Sequence, residues 1–378
     1  MRNDQVEGTK ALSARPERQE GRDYPAFYAI QKNLPARTAA LVSSPVSRRR
    51  LTGFESSDGL LFIGPGASLF LTDSRYIEAA KAEVMACPVE ELKDTGPQLR
   101  ALCKEHRVKR LFVETGYTTL DGAARLRKQL PGVWIEARDS RVDAHLRTLR
   151  MHKTSIEADC VRRAQAIAEK AFAHILGFIR PGMSEREIAL ELDYAMLRGG
   201  AEAVSFETIV VAGENGSKPH GVPGDRRLCA GDLLTLDFGA VVDGYHSDMT
   251  RTIAIGEPGE EQRKIYDIVL EAQLAALEKL GHGIACSEID KCARDVIENA
   301  GYGEHFRHGT GHGVGLEIHE APGLSRKSKD VLAPGMVVTV EPGIYLPGKC
   351  GVRIEDMALI TENGYENLTR AEKKLIVI

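Results

Sequence analysis

The 378-residue chain is 43% hydrophobic, enough apolar material for two domains of ordinary size. Its net charge of −4 offers no basic field for nucleic acid or an anionic membrane, and no apolar run approaches the roughly 20 residues of a spanning helix. The seven cysteines are odd in number and scattered, with no C-x-x-C pair, which points to reduced thiols in a cytoplasm rather than a disulfide framework.

Residues 1–22 carry nine charges and little periodicity, and read as a disordered extension with no apolar export segment. From 23 to 150 strand and helix patterns alternate. Candidate strands are Ala40–Val42, Leu60–Ile63, Leu69–Leu71, Leu111–Val113 and Val133–Ile135, with helical stretches near 76–85, 97–106 and 119–130. This is the signature of a small α/β domain with a covered sheet. Leu51-Thr52-Gly53-Phe54 and Thr72-Asp73-Ser74-Arg75-Tyr76 are expected at turns.

Residues 139–180 are strongly helical, and the boundary to a second domain, 151–378, is placed near Lys153. Pro181-Gly182 breaks the helix. Ser184 with Glu187 then makes a capping box that opens a new helix, which runs to about Arg198 and is closed by Gly199-Gly200. The arrangement recurs: a helix over about 260–280, Gly283, a helix over about 287–299, and Gly301. One offset superposes Gly182 on Gly283, Glu187-Ile188 on Glu288-Ile289 and Gly200 on Gly301. That suggests an internal duplication with pseudo-twofold symmetry.

The second domain carries the chemistry. Leu233–Ala240 is an apolar strand holding one carboxylate, Asp237, and the chain returns through Tyr245–Thr252 with Asp248. A four-residue loop at 241–244 would set the two aspartates directly opposite each other. A two-residue Asp243-Gly244 loop would offset them diagonally on one face. Either way two like charges repel unless a cation lies between them. Between His308 and Glu320, three histidines (His308, His312, His319) stand among four glycines, a backbone able to approach an ion closely. Glu341 ends the run Val337–Val340 just before Pro342, and Arg353 and Glu355 fall on one face of a further strand. Asp237, Asp248, His312, Glu341 and Glu355 thus make an oxygen-rich set with one nitrogen. Its charge matches two divalent ions of the hard type, Mn²⁺ or Mg²⁺ before Co²⁺ or Zn²⁺.

The order Asp, Asp, His, Glu, Glu in the contexts LTLDFGA, SDMTRT, HGTGHGVG, VEPGIY and VRIED resembles the pita-bread metallopeptidases, in particular the aminopeptidase P and prolidase branch that cleaves Xaa-Pro bonds. The likeness is strong over about 150–378. It is weaker before that, where LTGFESSDG and TDSRY resemble a creatinase-type N-terminal domain. The chain departs from the pattern at Ser47-Arg48-Arg49-Arg50, where such proteins often carry Asn and Tyr. The resemblance implies an α+β chain: a pita-bread catalytic domain preceded by a smaller α/β creatinase-type domain.

It further implies that Asp237, Asp248, His312, Glu341 and Glu355 ligate two metals, Mn²⁺ or Co²⁺ by family expectation, with Asp248 and Glu355 bridging. His220 and His319 would orient substrate or steady the oxyanion. Glu341 would carry a proton to the leaving proline nitrogen, Arg353 would support the site, and His308 would lie behind it. The expected activity is that of an Xaa-Pro aminopeptidase on peptides with proline second; the alternative is an Xaa-Pro dipeptidase. A methionine aminopeptidase, a creatinase-like amidinohydrolase or a binding module without catalysis rank lower. A homodimer, with neither nucleic acid nor membrane as partner, completes the expectation.

Overall fold

The computed structural model describes residues 24–378, so the extension expected at 1–22 lies outside the described residues. The described residues divide into two compact units, 24–145 and 146–378.

The first unit holds α1 (Tyr24–Asn33), β1 (Thr38–Val42), α2 (Pro45–Thr52), β2 (Leu60–Gly64), β3 (Ala67–Thr72), α3 (Ile77–Glu83) and β4 (Val89–Glu91). It continues through α4 (Thr95–Glu105), β5 (Arg110–Val113), α5 (Leu120–Gln129) and β6 (Trp134–Glu136). Helix α6 (Arg141–Met151) runs across the division. The six strands form one mixed sheet in the order β4-β3-β2-β1-β5-β6. All of β1 is buried, and Leu41, Phe62, Leu71, Leu99, Leu111 and Ile135 share one apolar core.

Sequence patterns missed α1, α2 and β4. In β4 only Val89 is apolar. Helix α2 is rich in arginine, but Ser44 at its N-cap and Pro45 in its first turn were legible start signals. Leu51 and Thr52 therefore belong to a helix, and the expected turn is reduced to its cap, Gly53. The departure at 47–50 has a structural use here. Buried Arg48 donates to the carbonyls of Ser43 (2.9 Å), Ser56 (2.7 Å) and Gly59, tying the loop after α2 to the sheet.

The second unit is built twice. Its first copy has α7 (Ser155–Phe178), α8 (Glu185–Arg198), β7 (Ala203–Val204), β8 (Ile209–Ala212), β9 (Asp232–Phe238), β10 (Ala240–Val242), β11 (Tyr245–His246) and β12 (Met249–Ile255). Its second copy has α9 (Glu260–Lys279), α10 (Cys286–Asn299), β13 (Gly311–Gly313), β14 (Glu320–Leu324), β15 (Val337–Val340), β16 (Gly343–Leu346), β17 (Cys350–Arg353), β18 (Asp356–Thr361) and β19 (Gly364–Asn367). The helices begin where the capping residues stand: Thr154–Glu157 and Ser184–Glu187 are both complete capping boxes.

The two copies agree in detail. Gly182 and Gly283 take φ of 85° and 83°, a left-handed conformation that favours glycine. The Gly182 N–H donates to Leu228 O (2.9 Å) and the Gly283 N–H to Leu332 O (2.8 Å). Strands β8-β9-β12 lie in the same order as β13-β15-β18, and each copy inserts a hairpin, β10-β11 or β16-β17, between the second and third strands of that set. Each copy buries its own helices on its own strands: Phe172, Ile188 and Leu236 in one core, Val269, Ile289 and Val338 in the other. Among the described residues no helix is long and apolar enough to cross a membrane.

Candidate metal centre

The duplication places four carboxylates. In each copy one stands before the inserted hairpin and one after it: Asp237 in β9 and Asp248 just before β12, then Glu341 just after β15 and Glu355 just before β18. The hairpin register decides between the two loops left open by the sequence. Val242 pairs with Tyr245, and Asp237 stands opposite Thr250, so Asp243-Gly244 alone make the turn and the aspartates are diagonal. Glu355 also differs from expectation. It lies in the link between β17 and β18, beyond the strand that ends at Arg353. The two copies are joined there: the Glu355 N–H donates to Thr250 O (3.1 Å), and buried Arg251 donates to both Thr250 O (2.9 Å) and Glu355 O (2.6 Å).

The nine residues singled out by sequence all line one cleft of about 450 Å³: His220, Asp237, Asp248, His308, His312, His319, Glu341, Arg353 and Glu355. Phe206, Ile209, Val222, Pro223 and Ile318 give it apolar walls. Asp248, His312 and Glu355 each offer a ligand atom, all within 4.8 Å of one another. His312 Nε2 lies 3.5 Å from Asp248 and 3.4 Å from Glu341. Its other nitrogen, Nδ1, faces Gly313 O at 3.0 Å. A carbonyl only accepts, so Nδ1 carries the proton and Nε2 turns a lone pair to the carboxylates. The close approach is possible because Gly311 has no side chain: a Cβ there would stand 2.0 Å from Thr339 O.

Arg353 is the cation of this set. It donates to Asp237, to the Tyr345 hydroxyl (2.8 Å), to Pro219 O (3.2 Å) and, through Nε, to Thr250 Oγ1 (3.1 Å). The Tyr345 hydroxyl lies 3.0 Å from His308 Nε2, while His308 Nδ1 faces Gly309 O at 2.8 Å. Burial holds the His308 imidazole down to about 4, so Nδ1 donates and Nε2 accepts from Tyr345. The sequence reading missed Tyr345, Thr250 and Thr339. Thr250 donates to Glu355 (2.7 Å), and Thr339 donates to Glu341 (3.3 Å) and accepts from the His312 N–H (3.0 Å). A signal for the threonines existed, since Thr250 is two residues from Asp248 and Thr339 two from Glu341, the spacing that shares a strand face.

The electrostatics are those of a centre short of positive charge. Burial, then Asp237 and Glu341, hold Asp248 well above the usual carboxylate range. Burial, then Asp248, do the same to Glu355. Burial pushes Glu341 up to about 7 against the pull of Arg353. Burial lowers His312 and His319, favouring neutral imidazoles. Two buried carboxylate oxygens, Asp237 Oδ1 and Glu355 Oε1, have no hydrogen-bond partner. An orphaned buried acceptor is costly, and a divalent cation satisfies it while cancelling the repulsion. The donor set therefore fits hard divalent metal ions.

A duplicated α+β unit with this carboxylate–imidazole centre in an apolar-walled cleft defines a metal-dependent hydrolase. The chain belongs to metallopeptidase family M24, which matches residues 159–362, and residues 36–152 match the creatinase/prolidase N-terminal domain. It is 41% identical to the Xaa-Pro dipeptidase of Pyrococcus horikoshii, over 84% of this chain and 88% of that protein. The solved Xaa-Pro dipeptidase from Bacillus anthracis is 39% identical, with a TM-score of 0.89 over 94% of this chain and 99% of that one. The solved X-Pro aminopeptidase from Thermotoga maritima is 35% identical, with a TM-score of 0.85 over 93% and 99%.

Proposed function

We propose that the protein is an Xaa-Pro dipeptidase of cytoplasmic location, acting as a homodimer and loaded with two divalent ions, Mn²⁺ first among them. The observation that carries the reading is the cluster of four carboxylates and one imidazole, with its orphaned Asp237 and Glu355 oxygens, at the base of a cleft lined by three further histidines. The dipeptidases among its relatives favour this over the aminopeptidase placed first by sequence.

Asp237, Asp248, His312, Glu341 and Glu355 would hold the metals, which when bound supply Lewis acidity toward the scissile carbonyl and activation of a water molecule. Arg353 fixes Asp237 and is itself fixed by Tyr345 and Thr250. His220 and His319 are the donors that orient the carbonyl oxygen and stabilise it as charge develops. As the Xaa-Pro C–N bond breaks, the leaving proline nitrogen must receive a proton. We assign that task to Glu341, a carboxylate that lines the cleft among the metal ligands.

The Thermotoga relative keeps an Xaa-Pro aminopeptidase as the second reading. Metal-stripped protein reloaded with Mn²⁺ and given an Xaa-Pro dipeptide and an Xaa-Pro-Yaa-Zaa tetrapeptide separates the two by mass spectrometry. Cleavage of the dipeptide alone is expected. Release of the first residue from the tetrapeptide would establish the aminopeptidase, and no cleavage of either would refute both.

A further inference from the structure

The second unit holds a charge pair that this chemistry does not use. Lys153 Nζ lies 3.0 Å from Glu320 Oε2, and both side chains are 2% exposed. The other oxygen, Glu320 Oε1, accepts from Arg150 Nε (3.1 Å) and from the Glu317 N–H (3.2 Å). Taking two charges out of water costs several kcal/mol per ion, and an apolar pair of the same volume commonly stabilises a fold as well or better. A sealed ion pair is thus a poor stabiliser, but it demands one geometry of its two ends.

Both ends are attached to something that matters. Lys153 is anchored through its own N–H to Gly335 O (2.8 Å) and directly precedes Thr154, the N-cap of α7. Glu320 directly follows His319, whose ring lies edge-on to His312 with centroids 4.3 Å apart. Between these histidines the chain doubles back over the pair: a Cβ on Gly315 would stand 2.5 Å from Glu320 Oε2 and 2.9 Å from Lys153 Cε. Gly315 O in turn accepts the His246 N–H (2.8 Å), two residues before Asp248. The pair is a post around which the His319 loop and the approach to Asp248 are wound.

We propose that Lys153–Glu320 is a positioning pair that sets where His319 stands against His312 and the substrate carbonyl. The inference rests on the reading of His319 as a substrate-orienting group; Lys153 itself touches no substrate.

Kinetics on the Mn²⁺-loaded protein with an Xaa-Pro dipeptide test it through Lys153→Met, Lys153→Arg, His319→Ala and the double variant. A misplacement of about 1 Å is worth up to about 10²-fold, so Lys153→Met is expected to lower kcat by about 10- to 100-fold with a smaller change in KM. Lys153→Arg should recover most of that loss. In the His319→Ala background Lys153→Met should add nothing, because the group it positions is gone. Equal losses in both backgrounds, or none beside His319, overturn the proposal. Hydrogen exchange on the intact chain gives a readout free of catalysis. Lys153→Met should exchange faster over 313–320 while α7 and β9 keep their protection, and unchanged exchange there also overturns it. Wild-type protein that cleaves no Xaa-Pro peptide would sink the functional reading alone, since the exchange result still decides the pair. Should Lys153→Met not fold, Glu320→Gln is read in the same way.

Discussion

Glu341→Gln separates what the centre needs from what the fold needs. In metal-free protein burial raises the Glu341 carboxyl from 4.5 to about 7. A carboxyl raised in this way contributes stability that is fully present below pH 4.5 and is lost as the pH climbs through about 7. At about 1.4 kcal/mol per pKa unit, the loss by pH 8 is about 3 kcal/mol. Gln keeps the shape and the acceptor for the Thr339 hydroxyl, yet never ionises. In EDTA the variant should therefore be more stable than the unsubstituted protein by about 3 kcal/mol at pH 8, by about 1 kcal/mol at pH 5 and by almost nothing at pH 4. At 2–4 °C per kcal/mol for a unit of this size, Tm should rise by about 6–12 °C at pH 8. Saturating Mn²⁺ should reverse the order. A ligand at 100 times its Kd adds about 2.7 kcal/mol per site, and the variant loses much of that. Urea or thermal unfolding at the highest and lowest of these pH values, with EDTA and with Mn²⁺, reads all four cases. A variant no more stable than the parent at pH 8 in EDTA would refute the argument, because the buried negative charge would then carry no penalty.

Arg353→Lys keeps the charge but not the fork that reaches Asp237, Tyr345, Pro219 and Thr250 together. It should lower kcat by about 10- to 100-fold while elemental analysis finds the metal retained. Gly311→Ala puts a methyl where Thr339 O already stands, so it should destabilise by about 1–3 kcal/mol or more and weaken metal binding through His312, measurable by Tm and by metal titration. Dialysis against EDTA should abolish hydrolysis and Mn²⁺ should restore it; full activity in the stripped protein would refute the metal reading.

Helix starts were legible because they are local. Ser184 and Glu187 lie three residues apart and satisfy each other without reference to the rest of the chain. The ligand types were legible for a similar reason, since a carboxylate inside an apolar strand such as 233–238 announces that something must neutralise it. What sequence could not supply was pairing. The position of Asp248 relative to Asp237 turned on a two- or four-residue loop, and only the strand register settled it. Tyr345 was invisible as a site residue because its partners, His308 and Arg353, come from separate segments that the fold brings together. The place of Arg48 was hidden for the same reason. Three main-chain carbonyls from separate positions draw its guanidinium into the core.

The duplication was legible in helix-breaking glycines, but the centre depends on where the two copies differ. Both copies give a strand, a carboxylate, a hairpin, a second carboxylate and a strand, so a perfect repeat would hold two metals in matched sites. Of the matching strands β8 and β13 only the second carries a histidine: His312 lies in β13, where β8 reads Ile-Val-Val-Ala. That imidazole stands 3.4 Å from Glu341, and no histidine of β8 faces Asp237. Asp237 is instead tied to the permanent cation Arg353. Glu341 instead accepts the Thr339 hydroxyl (3.3 Å). On the proposed reading one histidine and one arginine, both supplied by the second copy, give two equivalent carboxylates different surroundings: Asp237 is tied to Arg353 and Glu341 faces His312.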